Sequence, residues 1–366
     1  MPLSKDGIAD DSRIRAAVPT LKHLAERGAK VIVMSHLGRP KGVDPALSLR
    51  PVATALAKQL GREVQFAEDC VGQAARGAVG RLQAGDVLLL ENVRFHPEEE
   101  ENDSEFAGRL AALGEIYVND AFAASHRAHA SVVGVAKHLP AYAGELMEAE
   151  LSALHKALDD PKRPLVAVVG GAKVSTKVGV LQHLLQKVDA LLIGGAMANT
   201  FFKAQGYPTG SGLVEDSALD DAKKVQAKGG NKLVLPVDLV CAKKMEAGQK
   251  VQTVAANAVE PGWMALDIGP KSIAEFSRHM STASTIVWNG PMGVAEIDDF
   301  AEGTRAVGEA MAASKAYTLV GGGDTLAAID ALGLAGRFSH VSTGGGATLE
   351  YLEGKELPGV AILKDA

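Results

Sequence analysis

The sequence has little cysteine, few aromatic residues and no long hydrophobic run, and each shortage argues against a class of protein. Its two cysteines, Cys70 and Cys241, lie far apart in the chain. They lack the paired spacing of a zinc ribbon or redox motif, and one bridge could not define a secreted disulfide scaffold. No apolar stretch approaches the roughly 18 residues of a membrane helix, and the polar start of the chain lacks the apolar core of a secretion signal. We therefore expect a cytoplasmic protein that does not bind membranes.

Positive charge is also in short supply. Lys and Arg number 38 against 44 Asp and Glu, which gives a net charge of −6. This balance argues against a general attraction to nucleic acid, so any basic site must be local. The length of 366 residues predicts two or three domains. Glycine is plentiful, at 40 residues, while aromatic residues make up 4%, a composition typical of α/β proteins with many tight turns.

The apolar pattern predicts parallel β-sheets. Short runs of Val, Ile and Leu alternate with longer segments of helical spacing, as in successive βα units. Most of the runs are continuously apolar, so we expect helices on both faces of each sheet. The predicted strands are 30–35, 86–90, 115–119, 165–169, 190–193, 233–237, 285–288, 317–320 and 340–342. A helix predicted over 144–158, followed by the proline-containing segment 159–164, marks the predicted junction between domains.

In parallel sheets, ligands bind beyond the carboxyl ends of the strands, so the residues that follow each predicted strand are the candidates for a binding site. In the first half of the chain these residues are cationic: they include Arg39, Arg94 and Arg127, with Arg13 just before the first helix. Any single arginine there could simply pair with a surface carboxylate. Several together at one edge predict a site for a small, multiply charged anion, because guanidinium groups bind phosphate and carboxylate in bidentate fashion. The acidic run 97–103 is interpreted as a solvated surface loop.

In the second half the strands are followed by glycine clusters. These are 170–171, 194–195, 321–323 and 344–346. Such turns bring backbone N–H groups up to nucleotide phosphates. None of them matches the P-loop or the G-x-G-x-x-G pattern, which argues against a P-loop nucleotidase and a dinucleotide-dependent dehydrogenase.

Two charged motifs accompany these glycines. Lys173 and Lys177 are four residues apart at a predicted helix start, where they could share one face toward phosphates or remain solvated. Asp324 could be a single-carboxylate ligand of nucleotide-bound Mg²⁺ or the N-cap of the next helix.

Taken together, the motifs resemble the phosphoglycerate kinase family. The matching segments are 13–20 (RIRAAVPT), 35–40 (SHLGRP), 90–95 (LENVRF), 126–131 (HRAHAS), 170–177 (GGAKVSTK), 287–293 (VWNGPMG), 321–325 (GGGDT) and 342–346 (STGGG). They occur in the family's order from about Pro2 to Leu363. The resemblance implies two doubly wound, Rossmann-like parallel-sheet domains joined by an interdomain helix and a hinge. The implied limits are 1–145 for the phosphoglycerate-binding domain, 146–160 for the helix, 161–345 for the nucleotide-binding domain and 346–366 for a segment returning to the first domain.

The resemblance also implies the reaction and its residues. The reaction is the reversible, Mg²⁺-dependent phosphoryl transfer between 1,3-bisphosphoglycerate and ADP, giving 3-phosphoglycerate and ATP, by a monomer that closes about its hinge. The implied catalytic residues are Arg13, Lys173 and Gly345, and the implied substrate-binding residues are Arg13, His36, Leu37, Gly38, Arg39, Arg94 and Arg127. The implied nucleotide-binding residues are Gly171, Lys177, Gly194, Gly195, Asn289, Pro291, Glu296, Gly322, Gly323, Asp324 and Thr325, with Asp324 as the metal ligand.

Two departures from the family pattern bear on activity. The family's first strand, with a substrate-binding Asp and Asn, precedes the point where the resemblance begins at Pro2, and Ala295 replaces the usual Phe beside the ribose-binding glutamate. Two hypotheses follow: a working phosphotransferase, for which a start assigned too far downstream explains the missing strand, or a catalytically impaired fragment that still binds ADP and ATP.

Overall fold

The computed structural model describes residues 3–4, 7–8 and 11–363. The start of the first predicted domain and the end of the last predicted segment therefore lie partly outside the described residues. The chain divides into two compact units, the first comprising 1–151 with 356–366 and the second comprising 152–355. Among the described residues, no helix has both the length and the apolar character needed to cross a membrane.

The first unit contains short sheets flanked by helices, all parallel except the pair of β1 and β2. Its strands are β1 (Leu3–Ser4), β2 (Gly7–Ile8), β3 (Val31–Val33), β4 (Val64–Ala67), β5 (Val87–Leu90), β6 (Tyr117–Asn119) and β7 (Ala141–Ala143). Its helices are α1 (Ser12–Glu26), α2 (Arg50–Leu60), α3 (Gly72–Val79), α4 (Glu98–Glu101) and α5 (Ser104–Ala111), while α6 (Glu145–Leu158) crosses the boundary between the units. Strand β5 is fully buried and lies between β3 and β4, all three parallel, and β6 pairs with β7 in parallel.

Helix α1 is longer than the 20–27 that the apolar spacing predicts. It begins at Ser12, so Pro19 lies inside the helix rather than in its first turn. Ile14 is buried and Val18 and Leu21 pack on the same apolar cluster, and this packing extends the helix through the proline despite the hydrogen bond that proline cannot donate.

The second unit is built around one large sheet. Its strands are β8 (Leu165–Val169), β9 (Ala190–Ile193), β10 (Leu233–Val234), β11 (Asp238–Ala242), β12 (Gln252–Ala255), β13 (Met264–Ile268), β14 (Thr285–Asn289), β15 (Tyr317–Gly321) and β16 (His340–Val341). Its helices are α7 (Val178–Lys187), α8 (Met197–Ala204), α9 (Leu219–Gly229), α10 (Pro270–Ser281), α11 (Glu302–Ala313), α12 (Gly323–Ala331) and α13 (Gly346–Leu352). The chain then returns to the first unit through α14 (Pro358–Ala361).

The six-stranded sheet has the order β10-β9-β8-β14-β15-β16 and is parallel throughout. Every residue of β8 and β14 is buried, which agrees with the prediction of sheets covered on both faces. From β8 the chain builds the sheet in one direction, and from β14 in the other. The reversal leaves a crevice beyond the carboxyl ends of β8 and β14, where ligands bind in folds of this kind.

The sequence patterns missed several strands. The antiparallel sheet β12-β11-β13 was not predicted, and neither were β4 and β7. Burial alternates along β12, so this strand lacks the continuous apolar run used to find the others.

Candidate functional site

In the first unit, Arg94 is the centre of a cationic cluster that also contains His36, Arg39, Arg127 and His129. Arg94 lies in a 3-10 turn directly after β5, and its side chain is 4% exposed. Its Nη1 donates a hydrogen bond of 2.9 Å to the carbonyl of Gly38, and its Nε lies 3.1 Å from the Glu100 carboxylate. Its Nη2 is buried without a hydrogen-bond partner among the described residues. A buried guanidinium nitrogen of this kind is suited to an anion.

The pKa of His36 reports how closely the cluster is gathered. Burial, together with the nearby charges of Arg94, Arg127 and His129, lowers it from 6.5 to about 3. Burial also lowers the pKa of His129, again with help from Arg94 and Arg127. Both imidazoles are therefore neutral at pH 7, and the net charge of the cluster comes from its guanidinium groups. The structure thus brings together side chains from the segments after β3, β5 and β6.

Glu99, which the sequence analysis passed over, anchors one side of this cluster. Glu99 is only 1% exposed. Its two carboxylate oxygens accept hydrogen bonds of 2.8 and 2.6 Å from the backbone N–H and the hydroxyl of Ser131. Burial raises the pKa of Glu99. The interpretation of 97–103 as a solvated loop is therefore wrong at Glu99, although Glu100 and Glu101 are exposed. By holding Ser131, Glu99 fixes the segment that carries Arg127.

The other predicted substrate residues differ in accessibility. Arg13 lies in the first turn of α1, is exposed, and forms no hydrogen bond or ion pair with the residues the structure describes. Arg39 is exposed and helps to lower the pKa of Arg94. Gly38 has a φ of +67°, a conformation that suits glycine. Leu37 is 3% exposed and packs in the core, so its side chain is not available to a ligand.

In the second unit, Lys177 lies in the crevice between β8 and β14. Its Nζ donates hydrogen bonds of 2.7 Å to the Gly170 carbonyl, 3.1 Å to the Asn289 carbonyl and 2.7 Å to the Asn289 side-chain oxygen. Burial lowers the pKa of Lys177 from 10.5 to about 8, and Asp324 partly opposes this shift. The ammonium group is thus buried among neutral oxygens, with one carboxylate near enough to influence it.

Lys173 and Lys177 do not share a helical face. Helix α7 begins at Val178 with Lys177 as its N-cap, whereas Lys173 lies four residues earlier, outside the helix. Lys173 is exposed while Lys177 points back to the strand ends. The prediction that both lie at the start of a helix is therefore wrong for Lys173. The hydrogen bonds that Lys177 donates hold its ammonium group against the ends of two strands.

The glycine pairs allow three backbone segments to interlock. Gly171 N–H donates to the Pro291 carbonyl at 3.1 Å, and Gly195 N–H donates to the Met292 carbonyl at 2.8 Å. Gly195 has a φ of +69°, and a Cβ atom there would lie 2.5 Å from the backbone nitrogen of Gly171. A Cβ on Gly194 would meet the Met292 sulfur at 2.4 Å. Glycine is required for this approach, which places predicted nucleotide residues from three loops side by side.

Two buried polar side chains brace the edge of the sheet. The Thr325 hydroxyl accepts a hydrogen bond of 2.6 Å from Gly290 N–H, and the Asn289 side-chain amide donates one of 3.1 Å to the Gly321 carbonyl. Both residues are buried. They therefore hold the strand ends in position.

Asp324 is not a helix cap. The N-cap of α12 is Gly322, with a φ of +97°, and Gly323 is the first helical residue. The Asp324 carboxylate is exposed and forms no hydrogen bond or ion pair with the residues described. Of the two interpretations of Asp324, the structure rules out the cap. A free carboxylate beside the buried Lys177 ammonium has the chemistry of a single-carboxylate Mg²⁺ ligand.

The remaining predicted residues lie in exposed positions. Glu296 is exposed in the loop between β14 and α11, and Gly345 is exposed with a φ of +51° immediately before α13. No hydrogen bond or ion pair among the described residues joins either of them to Lys177 or to its partners Gly170 and Asn289.

Asp267, which no sequence motif singles out, is a buried acid near the loop of Glu296. Its two oxygens accept hydrogen bonds of 2.7 Å from Gly303 N–H and 2.9 Å from Ile268 N–H. A Cβ on Gly293 would lie 2.3 Å from one of those oxygens, so the two residues are in contact. Burial raises the pKa of Asp267 to about 7. An acid within the apolar run of β13 was the signal that could have found it.

Comparison with known proteins identifies relatives along the whole chain. The family model described as phosphoglycerate kinase matches residues 1–355. The chain is 54% identical to the phosphoglycerate kinases of Moorella thermoacetica and Pelotomaculum thermopropionicum, over 100% of this chain and 94% of each relative. It resembles the solved structure of the Coxiella burnetii phosphoglycerate kinase with a TM-score of 0.92 and 45% identity, covering 99% of this chain and 93% of that one. The Pyrococcus horikoshii enzyme gives a TM-score of 0.86 at 33% identity, with the same coverage.

Proposed function

The chain belongs to the phosphoglycerate kinase family, and on this premise we propose which of its residues carry the reaction. The reaction is the reversible transfer of a phosphoryl group between 1,3-bisphosphoglycerate and ADP in glycolysis. The catalytically impaired fragment is not favoured, because the relatives match the whole of the chain. One observation supports the residue assignment: in each unit, the motif residues lie together at the ends of strands. They form a cationic cluster in the first unit and a glycine-lined crevice in the second.

The cationic cluster binds the phosphate and carboxylate groups of the three-carbon substrate. Arg94 supplies the strongest argument, since its buried Nη2 has no partner among the described residues. The substrate-binding set is Arg13, His36, Leu37, Gly38, Arg39, Arg94 and Arg127, in which the buried Leu37 contributes through its backbone alone. Within this set, His36 is neutral, so it serves as a hydrogen-bonding group and the arginines supply the charge.

The crevice of the second unit binds the nucleotide. Lys177 contacts its phosphates, because a buried ammonium with a depressed pKa gains most from a nearby anion. The nucleotide-binding set is Gly171, Lys177, Gly194, Gly195, Asn289, Pro291, Glu296, Gly322, Gly323, Asp324 and Thr325. The buried members Asn289 and Thr325 act by positioning the loops around the ligand.

The chemistry requires no general base. The acceptor in the ATP-consuming direction is a carboxylate, which is ionised at pH 7. Positioning and neutralisation of charge therefore suffice for an in-line transfer through a loose transition state. Arg13, Lys173 and Gly345 are the proposed catalytic residues. The exposed side chains of Arg13 and Lys173 are free to approach a ligand, since neither is paired in the part of the chain that the structure describes.

We assign the Mg²⁺ that accompanies the nucleotide to Asp324. The exposed, unpaired carboxylate fits a cation that keeps most of its ligands from phosphate oxygens and water. When bound, the ion supplies neutralisation of phosphate charge. The chain's own contribution is to hold the carboxylate on the first turn of α12, where Thr325 is anchored to Gly290.

Several further expectations belong to this proposal. The partners are small molecules, with no nucleic acid and no membrane among them, and the enzyme acts as a cytoplasmic monomer. The hinge closure that the family resemblance implies stays a prediction.

A coupled assay with isothermal titration calorimetry tests the proposal on the full chain. Turnover of 3-phosphoglycerate with ATP, together with ADP binding, supports it, whereas ADP binding without turnover supports the impaired fragment. Lys173→Ala is expected to reduce turnover far more than ADP affinity, while Lys177→Ala reduces ADP affinity as well. An equal loss of turnover and affinity in Lys173→Ala would assign that lysine to ground-state nucleotide binding.

A further inference from the structure

Asp69, Cys70 and His96 form a cluster that the phosphotransferase does not use. Asp69 and Cys70 follow β4, and His96 follows the 3-10 turn after β5. One carboxylate oxygen, the thiol sulfur and one ring nitrogen all lie within 4.8 Å of one another. The carboxylate oxygen Oδ1 of Asp69 is 2.8 Å from Nε2 of His96. Among the described residues, no other group of three such side chains lies this close together.

The ligand types indicate which cation would fit. Thiolate and imidazole favour Zn²⁺, whereas Mg²⁺ and Ca²⁺ prefer sites made of oxygen alone. Zinc bonds of about 2.0 to 2.3 Å in a tetrahedron place the ligand atoms about 3.3 to 3.6 Å apart. The distances between ligand atoms in this cluster, all within 4.8 Å, therefore need to change by only about 1 Å to match that geometry. The Asp69–His96 hydrogen bond must open slightly, and the widest pair must close.

The three side chains are held in place by their surroundings. Asp69 Oδ1 accepts hydrogen bonds of 2.7 Å from Cys70 N–H and 3.4 Å from Val71 N–H. The His96 ring packs against the Phe106 ring, with 5.2 Å between centroids. Cys70 is completely buried at the start of α3. Support of this kind orients metal ligands before the metal arrives.

An adjoining cavity offers a route for the ion and room for a fourth ligand. It has a volume of about 350 Å³, and its lining includes Asp69, His96, Glu68, Glu91 and Ser48. Glu68 is paired with Arg50, and Glu91 accepts hydrogen bonds from Ser48 and from Leu49 N–H. Because both glutamates are engaged, water is the expected fourth ligand. The acidic lining favours entry of a cation.

We propose that Asp69, Cys70 and His96 bind one Zn²⁺ ion, with water from the cavity as the fourth ligand. On binding, the Cys70 thiol loses its proton to solvent and the sulfur bonds to zinc, so one proton is released from this residue per ion bound. The bound ion joins the turn after β4 to the segment that carries Arg94.

Cobalt is the probe for this site, because Co²⁺ replaces Zn²⁺ and its spectrum reports thiolate ligation. The full chain, stripped of metal with a chelator, is titrated with Co²⁺ in the absence of nucleotide. One equivalent is expected to produce a thiolate charge-transfer band with tetrahedral ligand-field bands, and Zn²⁺ but not excess Mg²⁺ is expected to remove them. Absence of the thiolate band, or its removal by Mg²⁺, would overturn the proposal.

Variants separate this cluster from other metal-binding groups. Cys70→Ser is expected to abolish the thiolate band, while the matched control Cys241→Ser, at the other buried cysteine, keeps it. Should Cys70→Ser fail to fold, His96→Gln serves instead, since that side chain is 26% exposed. It is expected to weaken Zn²⁺ binding at least about tenfold, measured by competition with a chromophoric chelator. Loss of the band in Cys241→Ser, or unchanged affinity in His96→Gln, would refute the site.

Discussion

The proposed contact of Lys177 with the nucleotide phosphates predicts that nucleotide binding takes up a proton above pH 8. In the unliganded protein the pKa of Lys177 is about 8. A bound phosphate group would stabilise the charged amine and return its pKa toward the ordinary 10.5. At pH 9 the free lysine is then about 0.1 protonated and the bound one about 0.97, so binding takes up about 0.9 proton. The full pKa change, from about 8 to 10.5, corresponds to about 3 kcal/mol of ADP binding free energy. Between these two pH values ADP affinity is expected to fall about tenfold per pH unit.

Calorimetry measures this uptake directly. ADP is titrated into the protein at pH 7 and pH 9 in buffers of different ionisation enthalpy, and the slope of the observed heat gives the number of protons. Lys177→Arg is expected to lose the uptake, because a guanidinium stays charged. Lys224→Arg, an exposed site that pairs with Asp221, keeps it. Zero uptake at pH 9 in the unmodified protein, or the same uptake in Lys177→Arg, would refute the assignment of Lys177 to the phosphates.

Three further predictions test residues that support the two sites. Glu99→Gln loses one of the two hydrogen bonds that Ser131 donates, so it should lower the free energy of unfolding, measured in urea, by about 1–3 kcal/mol. In steady-state kinetics it should raise the KM for 3-phosphoglycerate more than it lowers kcat. An unchanged KM would contradict this role of Glu99. Gly195→Ala should abolish ADP binding measured by calorimetry. The matched control is Gly206→Ala: Gly206 also has a positive φ, +83°, but nothing lies within 4 Å of the new Cβ, so this variant should lower the melting temperature only slightly. Equal effects of the two variants on ADP binding would contradict the close approach at Gly195. The pKa of Asp267 is raised to about 7, so the folded protein holds a proton that the unfolded chain releases above the ordinary pKa of 3.8. The free energy of unfolding should therefore fall by up to about 4 kcal/mol as pH rises from 4 to 7. Urea unfolding across this range measures the fall, and Asp267→Asn should flatten it.

The four central strands of the second unit's large sheet could be predicted because they are buried on both faces. β8 and β9 have the predicted limits, and β14 and β15 extend one residue further. Strand β12 escaped because its burial alternates, whereas β11 and β13 are mostly buried but carry Asp238 and Asp267 within short apolar runs. The extent of α1 escaped too, because packing of Ile14 overrides the local signal of Pro19.

The site could be located more easily than its supporting residues. Charged and glycine-rich segments after strands mark where ligands bind, because the topology fixes that edge of the sheet. The pattern could not show that Lys177 turns away from α7, since this depends on carbonyl groups 7 and 112 residues distant in the chain. It also could not separate Glu99 from its acidic neighbours, because only burial against Ser131 distinguishes them.

The central claim is that the two ligands bind to different units, and crossed binding measurements test it most directly. Affinities for 3-phosphoglycerate and for ADP are measured separately by calorimetry in Arg39→Ala and Lys177→Met, after confirming that both variants remain folded. We expect Arg39→Ala to lose affinity for 3-phosphoglycerate alone and Lys177→Met to lose affinity for ADP alone. Loss of ADP binding in Arg39→Ala, or of 3-phosphoglycerate binding in Lys177→Met, would contradict the assignment of the two ligands to different units.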